Sequence, residues 1–548
     1  MLLTSLILLP LVGAFPLLLV RDKNAREIKA WAFLAAFVTF LVSIALWTSF
    51  QSGPNAPLFQ FEEKHAWINL KGIQANFNLG VDGFSSLMIL LTTLLTPIAI
   101  LSGWTRIADR QKEFYLAMLV LESAMIGVFA ARDLFLFYTF FEASLLPMYF
   151  IIGIWGSEPS EQRFYATTKF VVYTALGSLL MFVGILYIYK ISGSPDFSIS
   201  NIADQLEVLR RQYVTDVENG VKQPRGFSHS AEFYCFWAFA LAFGIKVAMV
   251  PLHTWLPDAY NSAPTPGLVL LSGIMAKMGG YGFYRFVIPF FPTAMEFYSG
   301  VFGFLAIVGI VYGSIMALAQ KELKLVIAYS SIAHLSICML GLFSGTDAGA
   351  HGALLQMVNH GIYSAGLFLM VGMLFERTQS RSMDYFGGIA QVVPNFTICF
   401  TILSLASIGL PLTNGFVGEF GCLMGAFEHS RRWALFGGLG VILGAAYMLI
   451  AIRKVFYGPL LRERSKTMPD LNRLEKGLLL PLLAMVFVIG VAPMPFLARL
   501  NGGVQDFLAR GHMKEPAETM TARAPEAPPA PPVIIEVKPA APRLEPKN

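Results

Sequence analysis

Four ionisable residues lie inside long apolar stretches of the sequence, where charge is rare. Glu142 stands in FYTFFEASLLPMYF, Lys246 in LAFGIKVAMVPLH, Lys277 in LSGIMAKMGGYGFYR and Glu419 in TNGFVGEFGCLMG. A charged side chain at the centre of a membrane-spanning helix costs about 2.5 to 3.5 kcal/mol on insertion scales. Because several such residues together are a burden on folding, their presence indicates an ion pump, and protons are the ion that these groups favour.

A buried lysine beside a movable carboxylate can bind and release a proton. Burial favours the neutral amine, whereas a nearby carboxylate favours the ammonium ion. At an effective dielectric constant of about 20, moving a carboxylate from about 4 to about 8 Å away changes the interaction by about 2 kcal/mol. We expect Glu142 to be the switching partner of Lys246 and Lys277 to be the next proton acceptor across the membrane plane. The alternative is snorkelling or one structural ion pair, but both lysines lie far from the ends of their apolar stretches.

Three histidines could extend a proton relay, because histidine titrates near neutral pH. His334 in SSIAHLSICML and His360 in MVNHGIYSAGL lie within apolar stretches and could pass protons toward Glu419. Each could instead be a packing residue with satisfied ring nitrogens. His253, beside Pro251, could relay protons or cap the carbonyls that a helix break sets free.

The composition shows what kind of elements must hold these residues. Of 548 residues, 55% are hydrophobic and only 14% are charged, against roughly 25% charged in soluble domains. The formal net charge of +5 comes from short basic runs between apolar stretches, which does not indicate nucleic-acid binding. No paired Cys motif is present, so we expect neither a metal nor a disulfide at the four cysteines, Cys235, Cys338, Cys399 and Cys422.

The apolar stretches predict an all-α integral membrane protein with about fourteen transmembrane helices. The predicted spans are residues 1–20, 29–50, 80–103, 114–131, 133–154, 166–190, 230–258, 264–288, 297–319, 323–344, 349–375, 393–428, 433–457 and 476–498. The first span has no basic region before it and no small-residue cleavage site, so we interpret it as a retained helix rather than a signal peptide.

Charge in the short loops predicts the orientation of the chain. The cluster Arg21, Lys23, Arg26 and Lys29 follows the first span, which the positive-inside rule holds in the cytoplasm. The N-terminus and, after an even number of spans, the C-terminus then lie outside. The other loops on the predicted cytoplasmic side carry Arg106, Arg110, Lys112, Lys321, Lys324, Arg453, Lys454, Arg462, Arg464 and Lys466.

Two predicted spans carry a helix breaker in the middle, near Pro251 and near Gly409 and Pro411. Broken backbone at bilayer depth is tolerated only where protein or a wet cavity surrounds it. The broken spans are the seventh and the twelfth, which predicts two five-helix repeats of inverted topology. We therefore divide the chain into N-terminal helices (1–112), a first repeat (113–290), a second repeat (291–460), a last helix (461–500) and a disordered Pro/Ala-rich tail (501–548).

Several motifs together resemble a known family. The stretch KVAMVPLHTWLPDAYNSAPTPGLVLLSGIMAKMGGYGFYR is similar to the signature region of the antiporter-like subunits of proton-translocating NADH-quinone oxidoreductase, respiratory complex I. FEASLLPMYFIIGIWG, KLVIAYSSIAHLS, NHGIYSAGLFLMVGML and LPLTNGFVGEF extend the resemblance over nearly all spans. Glu419 favours the M-chain branch, the bacterial counterpart of mitochondrial subunit four, because the other branches usually have lysine there.

The resemblance implies fourteen helices, two inverted repeats and a chain of buried proton-carrying residues along the membrane midplane. By motif match Glu142, Lys246, Lys277, His334, His360 and Glu419 inherit these roles. It also implies that NADH, FMN, iron–sulfur clusters and quinone are bound by other subunits, and that flanking antiporter-like subunits are partners in a bacterial plasma membrane. No nucleotide, metal or iron–sulfur motif is found in the chain itself, so we expect no cofactor here.

Three other functions remain open from the residues alone. A subunit of a multisubunit sodium/proton antiporter would share the two lysines and the broken helices, although Glu419 argues against it. The membrane arm of a proton-pumping hydrogenase or formate-linked complex would have the same motor with another electron source. A purely structural membrane scaffold is disfavoured by the buried charges.

Overall fold

Helices form nearly all regular structure in this computed structural model, which describes residues 1–19, 24–53, 55–70, 73–157, 159–222, 224–460 and 462–511. The basic residues Arg21 and Lys23 and most of the predicted tail, from residue 512 onward, lie outside the described residues. The helices are α1 (Leu2–Leu19), α2 (Ala25–Ser49), α3 (Gly83–Ser102), α4 (Gln111–Ala130), α5 (Leu134–Ala143), α6 (Leu145–Trp155), α7 (Ser160–Ser192), α8 (Ile199–Glu218), α9 (His229–Lys246), α10 (Trp255–Ser262), α11 (Thr265–Leu270), α12 (Lys277–Gly282), α13 (Ile288–Phe290), α14 (Pro292–Ala319), α15 (Leu323–Phe343), α16 (Asp347–Thr378), α17 (Pro394–Ser407), α18 (Asn414–His429), α19 (Arg431–Phe456), α20 (Glu463–Lys466), α21 (Arg473–Val491) and α22 (Met494–Arg510).

Eleven helical stretches of the described chain are long and apolar enough to cross a membrane. Each coincides with one of the predicted spans, α5 and α6 together forming the fifth. The other three predicted spans are interrupted: α9 with α10, residues 265–290, and α17 with α18. The all-α membrane class is confirmed, whereas the count of fourteen stays a prediction.

The eighth predicted span, residues 264–288, corresponds in the structure to residues 265–290, which are called the central segment below. Its three short α-helices are joined by two π-helical turns, Leu271–Met275 and Phe283–Val287. Almost every side chain in this segment is buried, as are those of α15 and α16. By contrast, α1, α2, α7, α19 and α21 each expose much of their apolar surface. The chain thus has an inner layer of helices that lipid does not reach.

Both predicted helix breaks are confirmed. α9 ends at Lys246 and α10 begins at Trp255, while α17 ends at Ser407 and α18 begins at Asn414. The first break places Ala248 at φ 58°, and the second places Leu412 at φ 73°, a left-handed conformation that ends a helix. α9 packs on α7 just as α18 packs on α16, five predicted spans later. This correspondence supports the inverted repeat and the repeat boundaries at 113–290 and 291–460, which stay predictions.

Three elements differ from what the sequence pattern led us to expect. An antiparallel hairpin, β1 (Gln60–Leu70) and β2 (Ile73–Val81), precedes α3, with Gln60 opposite Val81. The amphipathic helix α8 lies between two spans. α22 continues to Arg510, so the boundary that placed a disordered tail from residue 501 is wrong by at least ten residues. All three have too many polar residues for an apolar-run search to find.

Candidate functional site

Lys246 is the last residue of α9, at the point where the chain leaves the helix. Its side chain is buried, and its Nζ atom has no hydrogen-bond partner in the described part of the chain. Nζ lies 4.8 Å from the centre of the Phe141 ring and 6.0 Å from that of Phe170. The amine therefore faces aromatic π-surfaces, which attract a cation weakly compared with water or a carboxylate.

Glu142, the predicted partner of Lys246, lies in the last turn of α5 and is half-buried. Its Oε1 atom is buried and has no hydrogen-bond partner among the described residues. The two groups interact electrostatically, but no hydrogen bond joins them. The structure thus holds the pair apart, in an arrangement where either charge could be altered by a small movement.

Lys277 begins α12 between the two π-helical turns. Its side chain is fully buried, and Nζ turns back to donate to the backbone carbonyl of Ser272. π-helical turns are rare and often mark functional positions. His360 is an electrostatic neighbour of this ammonium group, so Lys277 lies between the Lys246 end of the site and the histidines.

Glu419 and His334 meet directly in the second half of the chain. His334 Nδ1 lies 2.8 Å from Glu419 Oε1, although the N–H direction is too oblique for a hydrogen bond. The Gln356 side-chain amide donates to the same carboxylate oxygen at 3.0 Å and to the Tyr363 hydroxyl at 3.1 Å. On the far side of the imidazole, Nε2 is 3.3 Å from the Tyr447 hydroxyl. His334 is thus in close contact with Glu419, and a proton relay between them stays a prediction.

His360 fills the space between Lys277 and the Glu419 cluster. It is buried, and neither ring nitrogen has a hydrogen-bond partner among the described residues. Its ring centre lies 5.6 Å from that of His334 and 5.3 Å from that of Tyr363. Two free ring nitrogens in an apolar interior are costly unless a mobile water or proton reaches them.

His253 lies apart from the cluster formed by Lys277, His360, His334 and Glu419. Its ring packs edge-on against Tyr312 with centres 5.0 Å apart, and Lys169 is its charged neighbour. Lys169 in turn is paired with Asp258 at 2.8 Å. This group borders the first helix break, so a relay through His253 stays a prediction that these contacts do not favour.

Sequence reasoning missed several members of the site. Gln356, Tyr363 and Tyr447 are uncharged and belong to long helices in which polar side chains are unremarkable in sequence. Glu122 in LVLESAMIGVFA was also missed, although it is an acidic residue in the middle of a predicted span. Its position within an apolar stretch could have identified it, because the same reasoning about buried charge identified Glu142.

The arrangement brings together side chains that can each hold a proton. A series of titratable side chains, all buried except the half-buried Glu142, runs from Glu142 and Lys246 through Lys277, His360 and His334 to Glu419. In the described residues, no group of three or more Asp, Glu, His or Cys side chains could hold a metal ion, and the four cysteines are free. Each member can hold or release one proton, and the series passes in turn through α5, α9, α12, α16, α15 and α18.

Comparison with known proteins agrees with the motifs. Residues 131–444 match the family model for the transmembrane region of NADH:quinone oxidoreductase/Mrp antiporter proteins. The chain is 42% identical to NADH-quinone oxidoreductase subunit M of Rhodobacter capsulatus, covering 90% of this chain and 93% of that protein. It is 39% identical to NADH-ubiquinone oxidoreductase chain 4 of Arabidopsis thaliana, covering 93% and 97%.

A solved structure shows the same fold. A chain of respiratory complex I from Thermus thermophilus with bound NADH superimposes with a TM-score of 0.80 at 31% identity, covering 94% of this chain and 99% of that chain. Relatives that span nearly the whole sequence, together with a family model that covers more than half of it, establish the relationship. The chain is an integral membrane protein and belongs to the NADH:quinone oxidoreductase/Mrp antiporter family.

Proposed function

We propose that this chain is a proton-translocating membrane subunit of NADH-quinone oxidoreductase. The observation that carries the proposal is the buried series of titratable groups, in which His334 lies 2.8 Å from Glu419 and 5.6 Å, ring to ring, from His360. Buried ionisable residues are expensive in a membrane protein and mark ion pathways. The names of the relatives, subunit M and chain 4, support the same assignment.

In the proposed mechanism, the Glu142–Lys246 pair is the switch. If the carboxylate moves toward Nζ, the ammonium ion is stabilised and Lys246 takes up a proton. If it moves away, the lysine releases that proton toward Lys277. From there His360 and His334 carry it to Glu419, which Gln356 holds in place by a 3.0 Å hydrogen bond.

The energy for this movement comes from other subunits in the proposal. We propose that NADH oxidation and quinone reduction, with FMN and iron–sulfur clusters, take place there, and that no redox centre is bound by this chain. Its own contribution is the relay and the two helix breaks, which can transmit a conformational or electrostatic change.

Flanking membrane subunits are the proposed partners because both helix breaks reach the outer surface. Leu410 and Leu412 in the second break and Pro251 in the first are exposed. Irregular backbone is not left facing lipid at bilayer depth, since its polar groups would lack partners. We propose that antiporter-like subunits cover these two surfaces in a bacterial plasma membrane, with the N- and C-termini on the periplasmic face as the loop charges predict.

The test is to purify the complex through a tag on this chain and to measure NADH-driven quinone reduction together with proton uptake into vesicles. We expect both activities, and we expect Lys277→Met to remove proton uptake while the complex still assembles. Cation–proton antiport without NADH oxidation would contradict the proposal and support the antiporter function that the family model also includes.

A further inference from the structure

Glu122 is a buried carboxyl group that the relay described above does not use. It lies in the middle of α4 and is fully buried. The Thr96 hydroxyl lies beside it but donates to the Thr92 carbonyl at 2.8 Å. Neither carboxyl oxygen therefore has a hydrogen-bond partner among the described residues. A buried carboxyl without partners destabilises a fold, so its presence calls for a function.

The depth of Glu122 follows from how α3 lies along the central segment. Asp82, just before α3, binds Arg285 at 2.6 Å, Leu95 packs against Gly273, and Gly103, just after α3, lies against Pro266. The helix therefore runs antiparallel to the central segment. Thr96 follows Leu95, so the Glu122 carboxyl next to Thr96 lies near the level of residues 272–274.

A second contact gives the side of α4 that Glu122 occupies. Phe129, seven residues later and hence on the same helix face, packs against Tyr281 with ring centres 5.2 Å apart. Tyr281 is one turn beyond Lys277. Counting back at about 1.5 Å per residue places Glu122 within roughly one helical turn of the depth of Lys277. The carboxyl thus lies at about the depth of the lysine, on the face of α4 that also carries Phe129.

The space between these two groups has polar atoms without partners. Lys277 Nζ has the Ser272 carbonyl as its hydrogen-bond acceptor, and the Ser272 hydroxyl is buried with no partner in the described chain. Such polar sites are where bound water bridges buried groups.

We propose that Glu122 is a further proton-carrying residue, which exchanges protons with Lys277 through water beside Ser272. The lysine would then have a carboxylate of its own, as Lys246 has Glu142. The proton moves from the carboxyl group to the lysine amine, leaving a carboxylate and an ammonium ion, and returns by the reverse step. This inference rests on the proposed function of the chain.

The test compares Glu122→Gln, Glu122→Asp and Ser123→Ala in the whole complex, with assembly, NADH oxidation and proton uptake measured in vesicles. Glutamine keeps the size of the side chain but holds no exchangeable acid proton, so we expect uptake to fall about 100-fold, the lower end of what loss of a positioned acid–base group costs. Aspartate keeps the acid and should retain most of the uptake. Ser123→Ala is the control, because the Ser123 hydroxyl is already bonded elsewhere, donating to the Ile7 carbonyl of α1 at 2.7 Å.

Normal uptake in Glu122→Gln would overturn the inference. So would failure of both Glu122→Gln and Glu122→Asp to assemble, which would show a structural role. The proposed function fails separately, if Lys277→Met pumps normally in the same vesicles.

Discussion

The protein surrounds the Lys246 amine with few groups that could stabilise its positive charge. Cation–π contact with a desolvated ring is worth about 2 kcal/mol, whereas burying an ion costs several. The rings of Phe141 and Phe170 therefore offset only part of the cost, and the charge on Lys246 depends on where Glu142 lies. These surroundings support the proposed role of Lys246 as a switch rather than as half of a structural ion pair.

Lys246→Met should abolish proton uptake while leaving the complex assembled. Methionine has a similar length and removes the buried amine, so the packing between Phe141 and Phe170 is kept. NADH-driven acidification of inverted vesicles measures the effect, and native electrophoresis checks assembly. Lys476→Met, at an exposed position on α21, is the matched control and should pump normally. Uptake by Lys246→Met at the wild-type rate would remove Lys246 from the relay.

Gln356→Leu tests whether Glu419 must be held toward His334. A hydrogen bond to a charged group is worth about 2 kcal/mol, so its loss should slow proton uptake by roughly 30-fold. The Gln391→Leu change, on an exposed turn, should have no effect. A normal uptake rate in Gln356→Leu would mean that the His334 contact alone positions the carboxylate.

At this scale the sequence pointed to the charged residues other than Glu122, and not to the uncharged ones. A lysine or glutamate in an apolar run stands out because lipid tolerates it poorly. Gln356 and Tyr447 do not stand out, since their role comes from helices that meet only in the fold. The distance between Glu142 and Lys246 was likewise beyond sequence reasoning, because α5 and α9 are far apart in the chain.

The end of α9 is positioned by a glycine of the central segment. A Cβ atom at Gly279 would collide with the backbone nitrogen of Val247 and the carbonyl of Phe243. Lys246 and Lys277 are each within two residues of this contact. The close approach of the two backbones therefore sets the spacing between the lysines.

Gly279→Ala should push α9 away from the central segment and slow proton uptake more than it lowers assembly. The expected loss of stability is about 1 to 3 kcal/mol, as for other overpacked interiors. Uptake and the melting temperature of the purified complex report the two effects. Gly438→Ala, on α19 with open space at the Cβ position, should change neither. Full activity in Gly279→Ala would show that the lysine spacing is not critical.

A loop carboxylate holds the start of α17. Asp470 accepts hydrogen bonds from the backbone N–H groups of Asn395 at 3.0 Å and Phe396 at 2.9 Å, and from the Asn395 amide at 2.8 Å. Burial opposes ionisation, but the backbone N–H of Leu471, which donates to Asp470 at 2.7 Å, and the bonds from Asn395 and Phe396 outweigh it and hold the pKa of Asp470 below its usual value. α17 leads into the second helix break, so this contact anchors one side of it.

The stabilising effect of Asp470 should depend on pH. Because its pKa is lowered by folding, the contribution is fully present above the unfolded pKa of about 3.9 and is lost as the pH falls through the folded value. Thermal unfolding of the wild type and of Asp470→Asn, followed between about pH 3 and 7, should show a difference that shrinks at the acid end. A difference independent of pH would contradict the assignment.

The length of the apolar stretches predicted the membrane spans, whereas the elements between the spans were not predicted. The hairpin β1–β2 and the helices α8 and α22 lie between or after spans, where polar composition resembles a loop. The breaks at Pro251 and Pro411 were predictable, because proline and glycine interrupt a helix wherever it packs. The π-helical turns around Lys277 were not, since they have no composition of their own.

On the scale of the whole molecule, charge is kept in the inner helices and irregular backbone reaches the surface at two places. Lipid can cover the apolar faces of α7, α19 and α21. It cannot satisfy the broken backbone near Pro251 and Leu412. We therefore propose that protein neighbours cover these two surfaces, one in each half, as they would for a subunit in the middle of a row.

Leu412→Asn should weaken assembly with the neighbouring subunit without unfolding this chain. Leu412 has a φ of 73°, which asparagine tolerates better than leucine, so the break itself should keep its shape. Leu435→Asn on α19 is the matched control, because the two leucines are 67% and 66% exposed and only the first belongs to a break. Native electrophoresis should show dissociation in Leu412→Asn alone. If both variants assemble equally well and show full NADH-driven proton uptake, this break faces lipid. The proposal that a partner subunit covers it would then be wrong.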